Sequence, residues 1–195
     1  EKGLSGMTDS EADIILKNAK PSIKKYSDIV KKMSEELLDY QVQQGLIRQE
    51  AAKIIKGAYS DYVPLFRDVS DESLGIGMGL DIRGKEIKRA KGSKLRVLSP
   101  LGNLFYQKER AHVRVLKNRI GKSIIEMTEN YPFLKDIFVI EKQRFLPRFN
   151  EDGELMFLDP KMKFGDNVVG TKIGGDQYFI TIKDEKIARS LKNLN

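Results

Sequence analysis

One stretch constrains this chain more than any other: a run of helical periodicity that opens at Ser99-Pro100 and meets no stop signal until Pro132. Ser99 can accept hydrogen bonds from the unpaired amides of a first turn, and Pro100 suits the first helical position, where its missing N–H is not needed. Leu101, Leu104, Phe105, His112, Leu116, Ile120 and Met127 then fall on one side of a helix running to about Asn130. The spacing predicts a single apolar stripe turned to the core, with Arg110, Arg114 and Lys117 on the opposite, wet side. The rest of the chain is expected to be organised around this rod.

The residues leading into it carry most of the positive charge. From Arg83 to Lys122 there are thirteen basic residues and only Glu86 and Glu109 against them, a local charge of +11; the whole chain is +7, so the remainder sums to −4. The stretch from Arg83 to Arg96 lacks a clean apolar period and holds Gly84 and Gly92, which predicts an exposed loop. Charge on a helix face can be no more than a solvated surface. A glycine-interrupted basic loop, however, can bring backbone amides and guanidinium groups up to phosphates. The candidate nucleic-acid-binding residues are therefore Arg83, Lys85, Lys88, Arg89, Lys91, Lys94 and Arg96 in the loop, and Arg110, Arg114 and Lys117 on the helix.

On the amino-terminal side, Thr8-Asp-Ser-Glu11 predicts a capped start, with Glu11 reaching back, for a short helix that Pro21 ends. A second helix is expected from Ser22 to Gln44 through Ile23, Tyr26, Ile29, Val30, Met33, Leu37, Leu38 and Tyr40, with Gly45 closing it. A third is expected over about Arg48 to Lys56. Tyr59 to Asp68 should be extended, because Pro64 disfavours a helical Val63 and the aromatic and branched residues suit a half-buried strand. Leu74-Gly-Ile-Gly-Met-Gly-Leu-Asp81 lacks the strand-to-helix context and the lysine of a phosphate-binding loop and is taken as a mobile linker.

Past Pro132 the period changes from helical to alternating. Ile137 to Ile140 is a short apolar run, and residues 144–149 and 154–158 flank an Asp152-Gly153 turn. A second hairpin is expected from Val168–Ile173 and Gln177–Ile182 about Gly174-Gly175-Asp176, followed by a last helix capped by Asp184. The fold class expected is α+β: an amino-terminal helical layer, one long central helix, and carboxy-terminal antiparallel β-hairpins with a final helix. Residues 1–195 are expected to form a single domain with a helical lobe at 7–57, the basic loop and long helix at 83–130 and a β lobe at 133–195. A start at Glu1 and an end at Asn195 straight after a helix predict a piece of a longer protein.

The chemistry of catalysis is missing. With no cysteine there is neither disulfide nor thiolate, and with one histidine there is no metal-ligand constellation. His112, set on the apolar stripe, is expected to be a hydrogen-bonded core residue, since no serine or carboxylate spacing marks a partner. Asp61, Asp68, Asp71 and Glu72 are read as turn and surface residues, with a divalent cation site as the alternative, and Glu151, Asp152 and Glu154 as turn formers. Tyr59, Tyr62 and Phe66 beside Arg67 could stack on bases, but strand packing accounts for them as well. No cofactor, no metal and no membrane span are expected.

Gly45-Leu-Ile47 before a short helix, Tyr62-Val-Pro-Leu-Phe-Arg67, Lys91-Gly-Ser93, the helix from Pro100 to Pro132 and Tyr178-Phe-Ile-Thr-Ile-Lys-Asp184 together resemble an associated domain of the large polyvalent proteins of phages and mobile elements. The resemblance runs from about Met7 to Leu194, and the Tyr-Val-Pro-Leu-Phe-Arg stretch is its most specific part. It departs in the long helix, where Asn118 is followed by Arg119 and Ile120 rather than by small residues. It implies a module of a multidomain phage or prophage protein that travels with the virion or acts in the bacterial host cytoplasm, with no catalytic residues to transfer. Three functions fit: a non-catalytic module contacting nucleic acid, a scaffolding module docking on acidic domains or virion proteins, and part of an enzyme completed elsewhere.

Overall fold

A computed structural model describes residues 8–58, 79–83, 86–87, 99–143, 146–149, 155–158, 165 and 167–193. The expected strand at Tyr59–Asp68, the acidic cluster at residues 61–72, most of the glycine-alternating run and the Asp152-Gly153 turn lie outside the described residues.

The chain is α+β, in the order α1 (Asp9–Asn18), α2 (Pro21–Gln43), α3 (Gln49–Ala58), α4 (Pro100–Asn130), a short 3-10 helix (Pro132–Asp136), β1 (Phe138–Lys142), β2 (Leu146–Phe149), β3 (Leu155–Leu158), β4 (Val168–Ile173), β5 (Asp176–Ile182) and α5 (Glu185–Lys192). The local signals hold where they are chemical. Thr8 and Glu11 form the reciprocal cap of α1, Ser99 accepts from the Gly102 amide at the start of α4, and Asp184 accepts from the Ile187 amide at the start of α5. Gly45 ends α2 in the left-handed region, at φ 74°.

β1, β5 and β4 form an antiparallel sheet in that order, and β2 pairs with β3 as a separate antiparallel hairpin. β4 and β5 are joined by Gly174 and Gly175, at φ 58° and 82°, the two positive angles that a two-residue hairpin turn with the right twist requires.

Two apolar clusters hold α2, α3, α5 and the three-stranded sheet, and α4 runs through both. Leu38, Leu46, Ile47, Ala52 and Ile82 pack with Val115 of α4, whereas Val169, Ile180, Ile182 and Ala188 pack with Ile125 of α4. The helix that the sequence singled out is thus the axis of the structure, but it is rotated from its expected setting. Its buried face is Asn103, Leu104, Ala111, Val115, Asn118, Gly121, Ile125 and Thr128. Of the expected stripe only Leu104 is buried; Leu101, Phe105, His112, Leu116, Ile120 and Met127 are exposed. Close approach is the physical reason. A Cβ on Gly121 would lie 2.5 Å from the Thr171 hydroxyl, so α4 sits against β4 at a separation that only small or hydrogen-bonding side chains allow.

Two further expectations are corrected. The amino-terminal layer is made by α3 and the carboxy-terminal half of α2. α1 buries no residue, and Ile23, Tyr26 and Ile29 of α2 stay exposed. The last residues of the glycine run are not linker either, since Gly79 and Leu80 are buried and the Leu80 amide donates to the Leu191 carbonyl at 2.9 Å.

Candidate nucleic-acid interface

β4 is an edge strand, and its outer edge organises the candidate site. Val168, Gly170 and Lys172 turn their backbone groups away from β5, and an uncovered row of this kind would be costly to bury or prone to pair with another chain. Three residues at the root of the basic segment close it. The Ile82 amide donates to the Gly170 carbonyl at 2.9 Å, Asp81 accepts from the Gly170 amide at 2.7 Å, and Arg83 donates to the Val168 carbonyl. Gly170 makes this possible, because a Cβ there would stand 2.8 Å from the Ile82 carbonyl oxygen and from Arg83 Cγ. Arg83 is also held by Asp81 at 2.8 Å, so it does not project as a loop cation.

A few residues on, Glu86 turns inward. Its side chain is 4 % exposed and sits between Arg114 and Lys172, whose side chains are 16 % and 7 % exposed. Arg114 grips it with a fork, Nε to Oε2 and Nη2 to Oε1, both at 2.8 Å, while Lys172 Nζ donates to Oε1 at 2.8 Å. Arg114 Nη2 also reaches the Arg83 carbonyl at 3.1 Å. The expectation that Arg114 lies on a wet face is therefore corrected: it points into a buried ion cluster. Burial acts to raise the Glu86 pKa, but the Arg114 hydrogen bonds and the charges of Lys172 and Arg114 outweigh it, and the carboxyl titrates below its ordinary range. For Lys172 the balance is reversed. Burial lowers its pKa and Glu86 opposes this, but Arg114 adds to the lowering, and the net direction is downward. The cluster holds two cations and one anion, so the carboxylate is over-compensated and the ammonium is under-compensated.

Arg110 and Lys117 flank Arg114 on the same edge of α4 and are half-buried. Lys85, Lys88, Arg89, Lys91, Lys94 and Arg96 lie outside the described residues. What surrounds them is fixed at both ends: Glu86 is tied to the middle of α4, and Ser99 caps its start. Glu86 is thus tied to the edge of α4 that carries Arg110 and Lys117. Arg119 and Lys122 turn elsewhere, to the side-chain oxygen of Gln44 at 2.9 Å and its carbonyl at 3.0 Å.

His112 is hydrogen-bonded, as expected, but it is not in the core. It is exposed, with Nδ1 3.1 Å from the Tyr40 hydroxyl and its ring stacked on Tyr40. Among the described residues no group of three or more His, Cys, Asp or Glu side chains could hold a metal, and no helix is long and apolar enough to cross a membrane.

Residue-by-residue reading missed Asp81, Asn118 and Lys172, which sit at the centre of this arrangement. Glu86 carried a visible signal, as the lone acid within the basic loop. No family model, curated protein or solved structure matches the chain.

Proposed function

We propose that the chain is a non-catalytic module that binds nucleic acid through phosphates, using the basic segment at residues 85–96 together with Arg110 and Lys117 on the adjoining edge of α4. The observation that carries this reading is the anchoring of the basic segment. Asp81, Ile82, Arg83 and Glu86 are consumed in holding its root to β4 and α4, and Arg110 and Lys117 stand on the same edge of α4 as the Arg114 that grips Glu86. Arg83 and Arg114 then act as anchors for the segment, and the phosphate contacts fall to Lys85, Lys88, Arg89, Lys91, Lys94 and Arg96. The likeness to a domain of large polyvalent proteins supports the same reading: a phage or mobile-element protein that enters a cell with DNA, carried in the virion or working in the host cytoplasm, has use for a polyanion-binding module.

Phosphate contacts carry no sequence information, and each neutralised phosphate releases counterions, so affinity should be independent of sequence and fall steeply with salt. The test is a fluorescence anisotropy titration of duplex and single-stranded DNA and of RNA at two salt concentrations. It compares the native chain with a variant carrying Arg89→Glu, Lys91→Glu, Lys94→Glu and Arg96→Glu. Binding by the native chain that the variant loses, with circular dichroism unchanged, supports the reading. A native chain that binds none of the three at low salt sinks it and leaves docking on an acidic protein as the function to pursue.

A further inference from the structure

α4 has a third side, neither packed on the core nor part of the basic edge. Leu101, Phe105, Leu116, Ile120 and Met127, with Tyr131 just past the helix end, are each between 41 and 58 % exposed along it. Their spacing is symmetric about Leu116. His112 and Ile120 lie four residues to either side, Phe105 and Met127 eleven, Leu101 and Tyr131 fifteen, and the exposed pair Glu109 and Ser123 fill the gaps at seven. Read along the helix the steps are four, four, three, repeated, an eleven-residue period. Eleven residues in three turns is about 3.67 per turn, close enough to the helix's own period for the row to run along one side of a nearly straight rod.

We propose that this face is covered by a second copy of the chain, through antiparallel pairing of the two α4 helices with the two-fold axis at Leu116. A two-fold interface must find the partner of every residue within the same patch, and this row does so. Phe105 meets Met127, Leu101 meets Tyr131, His112 meets Ile120, and the Glu109 carboxylate meets the Ser123 hydroxyl, which can donate to it. At the rim, Lys108 stands eight residues before the axis and Glu126 ten after it, both exposed and on the same edge, so unlike charges meet twice across the pair. Parallel pairing would instead set Lys108 against Lys108 and Glu109 against Glu109. A strip about 45 Å long and about 10 Å wide amounts to roughly 450 Å² per copy, about the size of the largest patch on an ordinary monomer surface, which is often functional. Two such strips give roughly 900 Å², below the 1,200 Å² or so of a standard interface, so the dimer is concentration-dependent. This inference stands apart from nucleic-acid binding, since Arg110, Arg114 and Lys117 lie on another side of α4.

Sedimentation equilibrium over a concentration series should show a monomer–dimer equilibrium in the native chain that Leu116→Arg abolishes, because two guanidinium groups would meet on the axis. Circular dichroism reports whether that variant is folded. Cysteine cross-linking decides independently, since the native chain has no cysteine. On oxidation Leu116→Cys should give a covalent dimer. Phe105→Cys should not, its two copies being about 33 Å apart along the paired helices. The double variant Phe105→Cys, Met127→Cys should cross-link again. A native chain monomeric at every concentration, or Phe105→Cys cross-linking as readily as Leu116→Cys, would overturn the proposal.

Discussion

The side-chain amide of Asn118 meets the backbone of Lys172 as a neighbouring β-strand would: Oδ1 accepts from the Lys172 amide at 2.7 Å, and Nδ2 donates to the Lys172 carbonyl at 2.9 Å. The Thr171 hydroxyl donates to the same Oδ1 at 2.8 Å, and all three residues are buried. Asn118→Ala would take the side-chain partner from the buried Lys172 amide and carbonyl, whereas the Thr171 hydroxyl keeps the Asn118 backbone carbonyl at 3.3 Å. Each such group costs about 1–3 kcal/mol. Allowing for partial relaxation, the variant should lose roughly 3–5 kcal/mol, read as a lower midpoint in urea denaturation.

Gly121→Ala sets two effects against each other. Helix propensity favours alanine by about 1 kcal/mol. The added methyl, however, would stand 2.5 Å from the Thr171 hydroxyl and 2.7 Å from its Cβ, in a strand that is itself held by Asn118. Overpacking of this kind typically costs about 1–3 kcal/mol, so the variant should be less stable than the native chain. A raised melting temperature would mean that α4 and β4 are not in close contact.

Rotation of α4 reverses the usual expectation for its leucines. Leu116 is 45 % exposed, so Leu116→Ala should change the stability of the dilute monomer by no more than about 0.5 kcal/mol. Ile125 is 4 % exposed and packs on Val169, Ile180 and Ile182, and Ile125→Ala should cost about 2–5 kcal/mol. Equal losses for the two would place the buried face elsewhere on the helix.

The Glu86 cluster makes stability depend on acid. The carboxyl's pKa is depressed in the folded chain, so its contribution is fully present above the ordinary value of 4.5 and is lost as pH falls through the lower folded value. Glu86→Gln leaves Arg114 and Lys172 buried without their anion and should cost roughly 3–5 kcal/mol at neutral pH. The gap in melting temperature between native and variant should hold constant down to about that ordinary value and narrow below it. A gap that does not change with pH would show that the carboxylate's charge contributes nothing.

Legibility of this chain from its sequence divides along physical lines. Caps and turns could be read because they are local chemistry: Thr8, Ser99 and Asp184 accept where they were expected to, and the Gly174-Gly175 turn follows from backbone geometry alone. The facing of α4 could not. Periodicity assigns the burial of a helix to its most apolar side, whereas this helix presents Asn118, Gly121 and Thr128 to the sheet because hydrogen bonds and close approach fix it there. Its more apolar side is a stripe, but that stripe faces away from the core. Likewise, a charge count finds the basic segment but not the buried use of Arg114, since Glu86 gathers Arg114 and Lys172 from far apart in the chain.

The closed edge of β4 has a consequence during synthesis. Among the described residues, Asp81, Ile82, Arg83 and Asn118, which cover it, leave the ribosome before Val168 to Ile173 are made. A nascent strand with bare amides and carbonyls can recruit a like strand from a neighbouring chain, and the hazard lasts as long as the wait for its cover. In this order of elements the cover is already waiting when the strand emerges. Circular permutation that moved the β4–β5 hairpin ahead of α4 would lengthen that exposure without changing the folded structure, and it would be expected to show itself in aggregation on expression rather than in the stability of whatever folds.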